Sequence, residues 1–236
     1  MIVLRVKREF KISDISSNQN FSFLNLASIG HYLKKENNSN ESVYYIDGGL
    51  LAFVLSILTN QRVNRVSFDF TSIAGVVLDD ACIKEYKVSF IGATTDELGY
   101  FIDKMKGRYP LIRIGPSSHG YLSSEELHNF IKKVIEENSR NLIVSMGAGL
   151  QEDMQILFRE QGYQYVSFTC GGFIRQEAGS DRDFYPKLIN RLRLRAFYRM
   201  YKEPHTRKRY IIDYPVNFIK IIYFFYRKRL KLEIVN

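Results

Sequence analysis

Between residues 88 and 169, short apolar runs alternate with segments in which apolar residues recur every three or four positions. The runs predict strands, and the recurring pattern predicts helices. In chain order the elements are strand Val88–Gly92, helix Thr95–Lys106, strand Leu111–Gly115, a helix capped by Ser123 with Glu126 completing a capping box, strand Asn141–Met146, helix Gln151–Gln161 and strand Gln164–Thr169. This alternation over short links predicts an α/β fold, a parallel sheet with helices on both faces.

The first 87 residues are less regular. Strands are predicted near Phe21–Leu24, Val43–Ile46 and Arg65–Phe70, an apolar helix near Leu50–Leu58, and a polar loop at Asn37–Glu41. The sequence contains no internal repeat and no low-complexity linker.

Positive charge is concentrated at the carboxyl-terminal end. Residues 187–236 contain 14 Lys and Arg but three acids, a net charge of +11, which leaves a net charge of −2 on the other residues. We therefore divide the chain into an α/β core, residues 1–186, and a basic helical appendage, residues 187–236.

The appendage contains a predicted helix, Val216–Leu232, that combines apolar bulk with cations. Its apolar stripe consists of Ile219, Ile222, Tyr223, Tyr226 and Leu230. This pattern is typical of a helix at an anionic membrane surface, where each cation contributes about 1 kcal/mol. A terminal helix docked on its own core is the alternative. The cations expected at the membrane or the acceptor are Arg191, Arg195, Arg199, Arg207, Arg209, Lys220, Arg227 and Lys231.

The bulk composition is that of a globular protein, with 45% hydrophobic and 25% charged residues. Two cysteines argue against a disulfide scaffold, and basic residues from Arg5 onward argue against a signal peptide. No apolar run approaches the roughly 20 residues that span a bilayer. We expect a cytoplasmic protein that associates peripherally with the inner face of the cell membrane. No nucleic-acid-binding module is recognisable, so we expect no nucleic-acid partner.

The most informative segment runs from Asn141 to Glu152. An apolar strand, a glycine-rich turn and a polar helix start follow one another there. Glycines let the backbone approach a ligand closely, and free amides at a helix start favour an anionic group. Many such turns are glycine-rich for packing reasons alone, so the neighbouring motifs are needed to tell whether this turn binds a ligand.

A series of polar landmarks accompanies this turn from about residue 21 to residue 210. They are Asn25, Asp47-Gly48, Arg65-Val66 before Asp69, Phe90–Gly92, Tyr109-Pro110, Gly115, His119–Tyr121, Gly147–Glu152, Gly171–Phe173, Gly179, Pro186, Tyr198-Arg199, Glu203-Pro204 and Arg209-Tyr210. The chain resembles the WecG/TagA/CpsF family of bacterial glycosyltransferases, because these landmarks occur in the order and approximate spacing typical of that family.

The resemblance implies a Rossmann-like α/β core with a carboxyl-terminal appendage that approaches the membrane. It also implies an inverting transferase that uses a nucleotide-activated hexose, usually a UDP-sugar, and no cofactor. The acceptors of the family are typically polyprenyl-diphosphate-linked sugars at the cytoplasmic membrane, in the synthesis of capsule, teichoic acid linkages or other surface polysaccharides.

Inverting transfer needs a base for the acceptor hydroxyl and a positive group for the departing diphosphate. Asp47 is the predicted base because it ends a strand and matches the Asp-Gly of the family; capping the following helix is the alternative. Arg65 is predicted to neutralise the diphosphate, with an exposed structural arginine as the alternative.

The remaining predicted site residues are expected to bind the substrates at the carboxyl ends of the strands. They are Asn25, Gly48, His119, Gly147, Gly149, Gln151, Glu152, Gly171 and Gly172. Helix capping is the alternative for Gln151 and Glu152, a hydrogen bond at a strand end for Asn25, and a turn satisfied by backbone for His119. We expect no metal site. The Asp-x-Asp at Asp181 and Asp183 does not follow a strand, and the Cys and His spacing offers no zinc site.

The chain also departs from the family pattern. Leu150 stands where a proline is usual, Phe23 replaces a hydroxyl residue, and Ala196 lies where a Glu-Trp pair is usual. Because of these differences, the sequence does not identify the donor sugar or the acceptor. It also does not determine whether the protein forms a homo-oligomer. The rival hypothesis is a non-catalytic nucleotide-binding protein on an anionic membrane surface. A nicotinamide-linked oxidoreductase is not favoured, because such an enzyme needs a Gly-x-Gly-x-x-Gly motif after an early strand and this sequence has none there.

Overall fold

The computed structural model describes residues 1–33, 42–179, 195–202 and 204–235. Eight strands of this part form one sheet: β1 Ile2–Lys7, β2 Asn20–Leu24, β3 Ser42–Ile46, β4 Lys87–Gly92, β5 Arg113–Ile114, β6 Asn141–Ser145, β7 Val166–Thr169 and β8 Leu230–Val235. Their order is β5-β4-β6-β7-β2-β3-β1-β8, and neighbouring strands are parallel. The predicted parallel sheet is confirmed.

Most of the described helices lie on the two faces of this sheet. The helices are α1 Ile29–Tyr32, α2 Gly49–Thr59, α3 Ala74–Ile83, α4 Thr95–Arg108, α5 Ser124–Glu136, α6 Leu150–Glu160, α7 Phe173–Ala178, α8 Arg195–Lys202 and α9 Tyr214–Tyr226. Alternate side chains of a strand point to opposite faces. Phe90 therefore packs with α3, α4 and α7, while Ile91 packs with α5 and α6 on the other face, which α1, α2 and α9 also cover. The α/β class is confirmed.

Local signals explain the elements that the sequence predicted. Thr94 and Ser123 accept hydrogen bonds from the amides of Glu97 and Glu126, so both α4 and α5 begin at a capping box. The buried faces of these helices are the apolar positions that recur at helical spacing.

Several elements were not predicted, or were predicted wrongly. β1, α1, α3 and α7 were missed. The strand expected at Arg65–Phe70 is wrong: this segment makes a single bridge, in which Val66 N donates to Ile46 O at 2.9 Å. Arg65, Ser67 and Asp69 instead form short-range polar contacts, while Val66 and Phe68 are buried in the core.

The carboxyl-terminal end also differs from the prediction. The helix expected to reach Leu232 stops at Tyr226, and Lys228 adopts a positive φ of 54° before the chain turns into β8. β8 pairs with β1 in register from Ile2 with Leu230 onward. Leu230 is therefore buried in the core and lies on a strand, away from the helical stripe. Lys231, predicted to contact the membrane, lies on the same strand and pairs with a neighbouring glutamate.

Helix α9 docks on α1 through a buried polar contact. Asn217 Nδ2 donates to Leu26 O at 2.7 Å and to Ala27 O at 3.3 Å, and Ile221 is buried beside it. At Gly30 of α1, a Cβ atom would lie 2.6 Å from Asn217 Oδ1. Helix α9 is thus docked on the core as the alternative hypothesis expected, and apolar side chains remain on its outer side.

Replacing Gly30 with alanine should loosen this docking. The new methyl group would displace the Asn217 side chain, at a cost of about 1–3 kcal/mol for buried groups left unpaired, partly offset by about 0.5–1 kcal/mol of helix propensity. Hydrogen exchange of the α9 amides should become faster. Gly99→Ala is the matched control, because a Cβ there meets nothing within 4 Å. Equal exchange rates in both variants would contradict the prediction.

Candidate active site

The carboxyl ends of five strands open onto one cleft with a volume of about 1250 Å³. Asn25 follows β2, Asp47 follows β3, Ala93 follows β4, Met146 follows β6 and Cys170 follows β7, and all five residues line the cleft. Open parallel sheets bind ligands at this edge because the strand ends and helix starts converge there.

Asp47 and Arg65, the two predicted catalytic residues, are in contact. Asp47 is fixed at the end of β3 by its amide, which donates to Leu24 O at 2.7 Å. Arg65 Nη2 lies 3.0 Å from Asp47 Oδ1 and donates to Ser67 Oγ at 2.6 Å. Both side chains are about one-third exposed, at 35% and 31%. The guanidinium and the carboxylate are therefore paired yet open to a ligand.

Asp69 completes this charged cluster and was not among the predicted site residues. Its Oδ2 lies 3.5 Å from Arg65 Nη2 and accepts a hydrogen bond from Ser67 Oγ at 2.8 Å, while its Oδ1 accepts from Thr71 N at 2.8 Å. Asp69 thus holds Arg65 beside Asp47. The i,i+4 spacing of Arg65 and Asp69 was the available signal, but it was interpreted as part of a strand.

Two glycine turns form the opposite side of the cleft. Gly147 and Gly149 have positive φ angles of 83° and 93°, and Gly171 has a φ of 57°. Side chains other than glycine are strained in these conformations. Gly147, Gly171 and Gly172 line the cleft, as predicted from the sequence, whereas Gly149 lies just behind its wall. The turn between β6 and α6 therefore faces the same cleft as Asp47.

Gln151 and Glu152 tie these turns together. Gln151 Oε1 accepts from Gly171 N at 3.0 Å, and Gln151 Nε2 donates to Glu152 Oε1 at 2.8 Å. Glu152 Oε2 accepts from Gly149 N at 2.7 Å, and Ser22 Oγ of β2 also donates to this carboxylate. Gln151 lines the cleft, whereas Glu152 is 5% exposed and lies behind it. The prediction of substrate contact by Glu152 is therefore not supported, because its oxygens cap the turn.

His119 was also predicted as a substrate-binding residue. Its Nδ1 accepts from Tyr121 N at 3.1 Å, so the imidazole stabilises its own turn. Gly120 and Tyr121, not His119, line the cleft. Asn25 does line the cleft, and its Oδ1 accepts from Ala27 N at 2.9 Å to start the turn into α1. Asn25 therefore contacts the cleft while its side-chain oxygen holds the local backbone.

The floor of the cleft is apolar. Phe23 contacts Phe68 with ring centroids 6.1 Å apart, and Phe68 contacts Phe173 at 5.6 Å. At Phe23, where the family usually has a hydroxyl group, the cleft thus offers an aromatic edge.

Cys170, which also lines the cleft, is not a candidate nucleophile. Burial raises the pKa of its thiol to about 12, so this thiol is protonated and a poor nucleophile at neutral pH.

The comparison with known proteins decides the family. Residues 16–232 match the profile described as Glycosyl transferase WecG/TagA/CpsF family, which is most of the chain. The protein belongs to this family. It is therefore a glycosyltransferase, and the hypothesis of a non-catalytic nucleotide-binding protein is not supported.

Two relatives of this glycosyltransferase have specific descriptions. One is the UDP-Gal:alpha-D-GlcNAc-diphosphoundecaprenol beta-1,4-galactosyltransferase of Shigella boydii, 32% identical over 94% of this chain and 95% of the relative. The other is the N-acetylglucosaminyldiphosphoundecaprenol N-acetyl-beta-D-mannosaminyltransferase of Bacillus subtilis (strain 168), 28% identical over 72% of this chain and 65% of the relative.

The appendage contributes to the cleft of this family member. Arg209, Tyr210 and Tyr214 line it, and Arg175 of α7 adds another cation. Arg209 is among the cations expected at the membrane or the acceptor, whereas no sequence signal pointed to Arg175. Arg191, the side chains of Arg195 and Arg199, the Asp-x-Asp segment and the boundary proposed at residues 186/187 lie outside the described residues.

Two further observations apply to the described ranges of this glycosyltransferase. They contain no helix that is both long and apolar enough to cross a bilayer. They also contain no group of three or more His, Cys, Asp or Glu side chains arranged to hold a metal ion.

Replacing Glu152 with alanine should destabilise the transferase and loosen the glycine turns of its cleft. The change leaves Gly149 N and Gln151 Nε2 without their acceptor, and each buried unpaired group costs about 1–3 kcal/mol. Ser22 Oγ also loses a partner but keeps its contact with Thr169 Oγ1 at 3.0 Å. We expect the free energy of unfolding to fall by about 3 kcal/mol and the donor KM to rise. Urea unfolding and initial-rate kinetics measure the two effects.

Glu160→Ala provides the matched control, since Glu160 is an exposed residue of the same helix. Surface substitutions of this kind change stability by about 0.5 kcal/mol or less. A Glu152→Ala variant as stable as this control would show that the carboxylate does not hold the turn.

Proposed function

We propose that this glycosyltransferase moves a hexose or N-acetylhexosamine from a UDP-sugar to a polyprenyl-diphosphate-linked saccharide, in the synthesis of a cell-surface polysaccharide. The observation that carries the proposal is that Asp47, Arg65 and the Gly147–Gln151 turn line one cleft. The Shigella relative, a UDP-Gal:alpha-D-GlcNAc-diphosphoundecaprenol beta-1,4-galactosyltransferase, makes UDP-galactose the first donor to test and GlcNAc-diphosphoundecaprenol the first acceptor.

In the proposed mechanism, Asp47 accepts the proton of the acceptor hydroxyl group. The acceptor oxygen forms a bond to the anomeric carbon of the donor from the side opposite the leaving group. The bond from that carbon to the β-phosphate oxygen breaks, and UDP departs with the electron pair. The configuration at the anomeric carbon is therefore inverted. A positioned general base typically contributes about 10²–10⁴-fold in rate.

Arg65 is proposed to stabilise the charge that develops on the departing diphosphate. A guanidinium group presents several N–H donors in a planar fork that suits phosphate oxygens. The start of α6 also lies at the cleft, beside the Gly147 turn, where the helix dipole favours negative charge. Because arginines can supply the positive charge, we propose that transfer does not require a metal ion.

We further propose that the protein works at the inner face of the cell membrane. Ile219, Tyr223 and Tyr226 are exposed on the outer side of α9, and Arg227 is exposed at its end. Apolar side chains beside cations are typical of peripheral contact with anionic lipids. In this proposal Arg207, Lys220 and Arg227 face the lipid headgroups.

A donor panel tests the transferase proposal. The purified chain is incubated with UDP-Gal, UDP-Glc, UDP-GlcNAc or UDP-ManNAc and a GlcNAc-diphospho-lipid acceptor, and products are separated by mass spectrometry. We expect transfer from one donor, with a β-linkage, and unchanged activity in EDTA. Failure of every donor to give a product would contradict the proposed donor and acceptor class.

A further inference from the structure

Helix α2 carries an apolar stripe on its outer side. Leu50, Phe53 and Ile57 are 52%, 62% and 63% exposed. Their spacing of three and then four residues places them on one side of the helix. Leu51 and Leu55 on the inner side are buried and hold α2 on the sheet. Single exposed apolar residues are common, but three in a row along one helix side are not explained by packing within the part of the chain that the structure describes.

The stripe begins at the active-site cleft. Leu50 lines the cleft together with Asp47 and Gly48, which directly precede α2. From Leu50 to Ile57 the stripe extends about 10 Å along the helix axis, at 1.5 Å per residue. An apolar path therefore leads from the proposed base to the outer surface of the molecule.

The charged groups of the cleft, next to the start of this apolar stripe, indicate which kind of ligand the two surfaces together can bind. Arg65, Asp47 and Asp69 form a charged cluster beside its start. A diphosphate-linked sugar can be held among these polar groups, but the hydrocarbon chain beyond its diphosphate would be poorly solvated there. Leu50, Phe53 and Ile57 provide apolar surface for such a chain in the same region.

We propose that the outer side of α2 binds the isoprenoid chain of the lipid-linked acceptor and guides it out of the cleft. This inference rests on the proposed acceptor class and deepens it by assigning a surface to the lipid. Contact with the chain removes apolar surface from water, which stabilises the complex by about 25 cal/mol per Å². The surface at Phe53 and Ile57 is chosen because it is continuous with the cleft. An acceptor whose sugar is held at Asp47 extends its diphosphate and lipid away from that residue, toward the stripe that begins at Leu50.

Binding of farnesyl diphosphate, which needs neither a donor nor transfer, provides the test. Isothermal titration calorimetry compares this ligand with inorganic diphosphate on the unchanged protein and on the double variant Phe53→Ser/Ile57→Ser. Neither residue lines the cleft. We expect the variant to bind farnesyl diphosphate about tenfold more weakly and inorganic diphosphate with unchanged affinity.

The matched control is Ile83→Ser/Leu111→Ser, which removes two apolar side chains that are 81% and 78% exposed elsewhere on the molecule. This variant should bind farnesyl diphosphate as the unchanged protein does. Far-ultraviolet circular dichroism and thermal unfolding verify that all variants are folded, and the single variant Ile57→Ser replaces the double variant if the latter is not.

Two outcomes would overturn the proposal. The first is unchanged farnesyl diphosphate affinity in the Phe53/Ile57 variant, and the second is an equal loss of affinity in the control variant. If the first is accompanied by weaker binding of the variant to phosphatidylglycerol vesicles, the stripe is assigned to membrane lipids instead. Because no sugar is involved, failure of the donor panel leaves this result interpretable.

Discussion

Asp47→Asn is expected to lower kcat by about 10²–10⁴-fold with little change in stability. Asparagine has the same shape and can still accept a hydrogen bond from Arg65, so the local geometry is retained. It cannot take a proton from the acceptor hydroxyl group. Initial rates with saturating UDP-sugar and acceptor, beside thermal unfolding of both proteins, measure the two properties.

Asp79→Asn is the control for this prediction, because Asp79 is an exposed residue of α3 outside the cleft. It removes the same charge and should retain full activity. Near-normal turnover of Asp47→Asn would exclude Asp47 as the base and leave it the role of holding Arg65.

Arg65→Ala is expected to lower kcat by about 10²–10³-fold, comparable with the loss of a group that stabilises an oxyanion. The change leaves Asp47 and Asp69 without the cation between them, which also disfavours a diphosphate in the cleft. Arg65→Lys should recover part of the rate, because an ammonium group restores the charge but not the planar fork of donors. Since Arg65 is one-third exposed, stability should change by about 1 kcal/mol or less.

Steady-state kinetics with the donor varied distinguish the roles of Arg65. A rise in KM with unchanged kcat would show that the guanidinium binds the ground state only, contrary to our expectation. Arg62→Ala is the control: Arg62 is exposed, donates to Asn64 Oδ1 at 3.1 Å and does not line the cleft. This variant should have unchanged kinetic constants.

Local sequence signals account for the regular part of the fold. Apolar runs and helical spacing predicted β4 to β7 and the helices between them, because in this region each element buries its apolar face directly on its sequence neighbours. The capping boxes at Thr94 and Ser123 are formed within four residues. They depend little on the rest of the chain.

The pairing of strands β1 and β8 at the edge of the sheet, by contrast, is not determined by local sequence signals. β1 and β8 lie at opposite ends of the sequence, and their pairing depends on a contact between Ile2 and Leu230 that no local pattern reveals. The sequence pattern places Leu230–Leu232 at the end of the predicted helix Val216–Leu232, because Leu230 continues its apolar stripe. Backbone pairing with β1 decided that Leu230–Val235 is a strand.

The candidate site, like the fold, depends partly on the sequence alone and partly on the tertiary structure. The sequence by itself determined the residue types: an aspartate ending a strand, an arginine after an apolar helix, and glycines at two strand ends. Only the tertiary structure decided that Asp47, Arg65 and Gly147 share one cleft, that Glu152 faces inward to the amide of Gly149, and that Asp69 holds Arg65. The physical reason is that a side chain's role depends on which groups surround it, and parallel strands bring together loops that lie far apart along the chain.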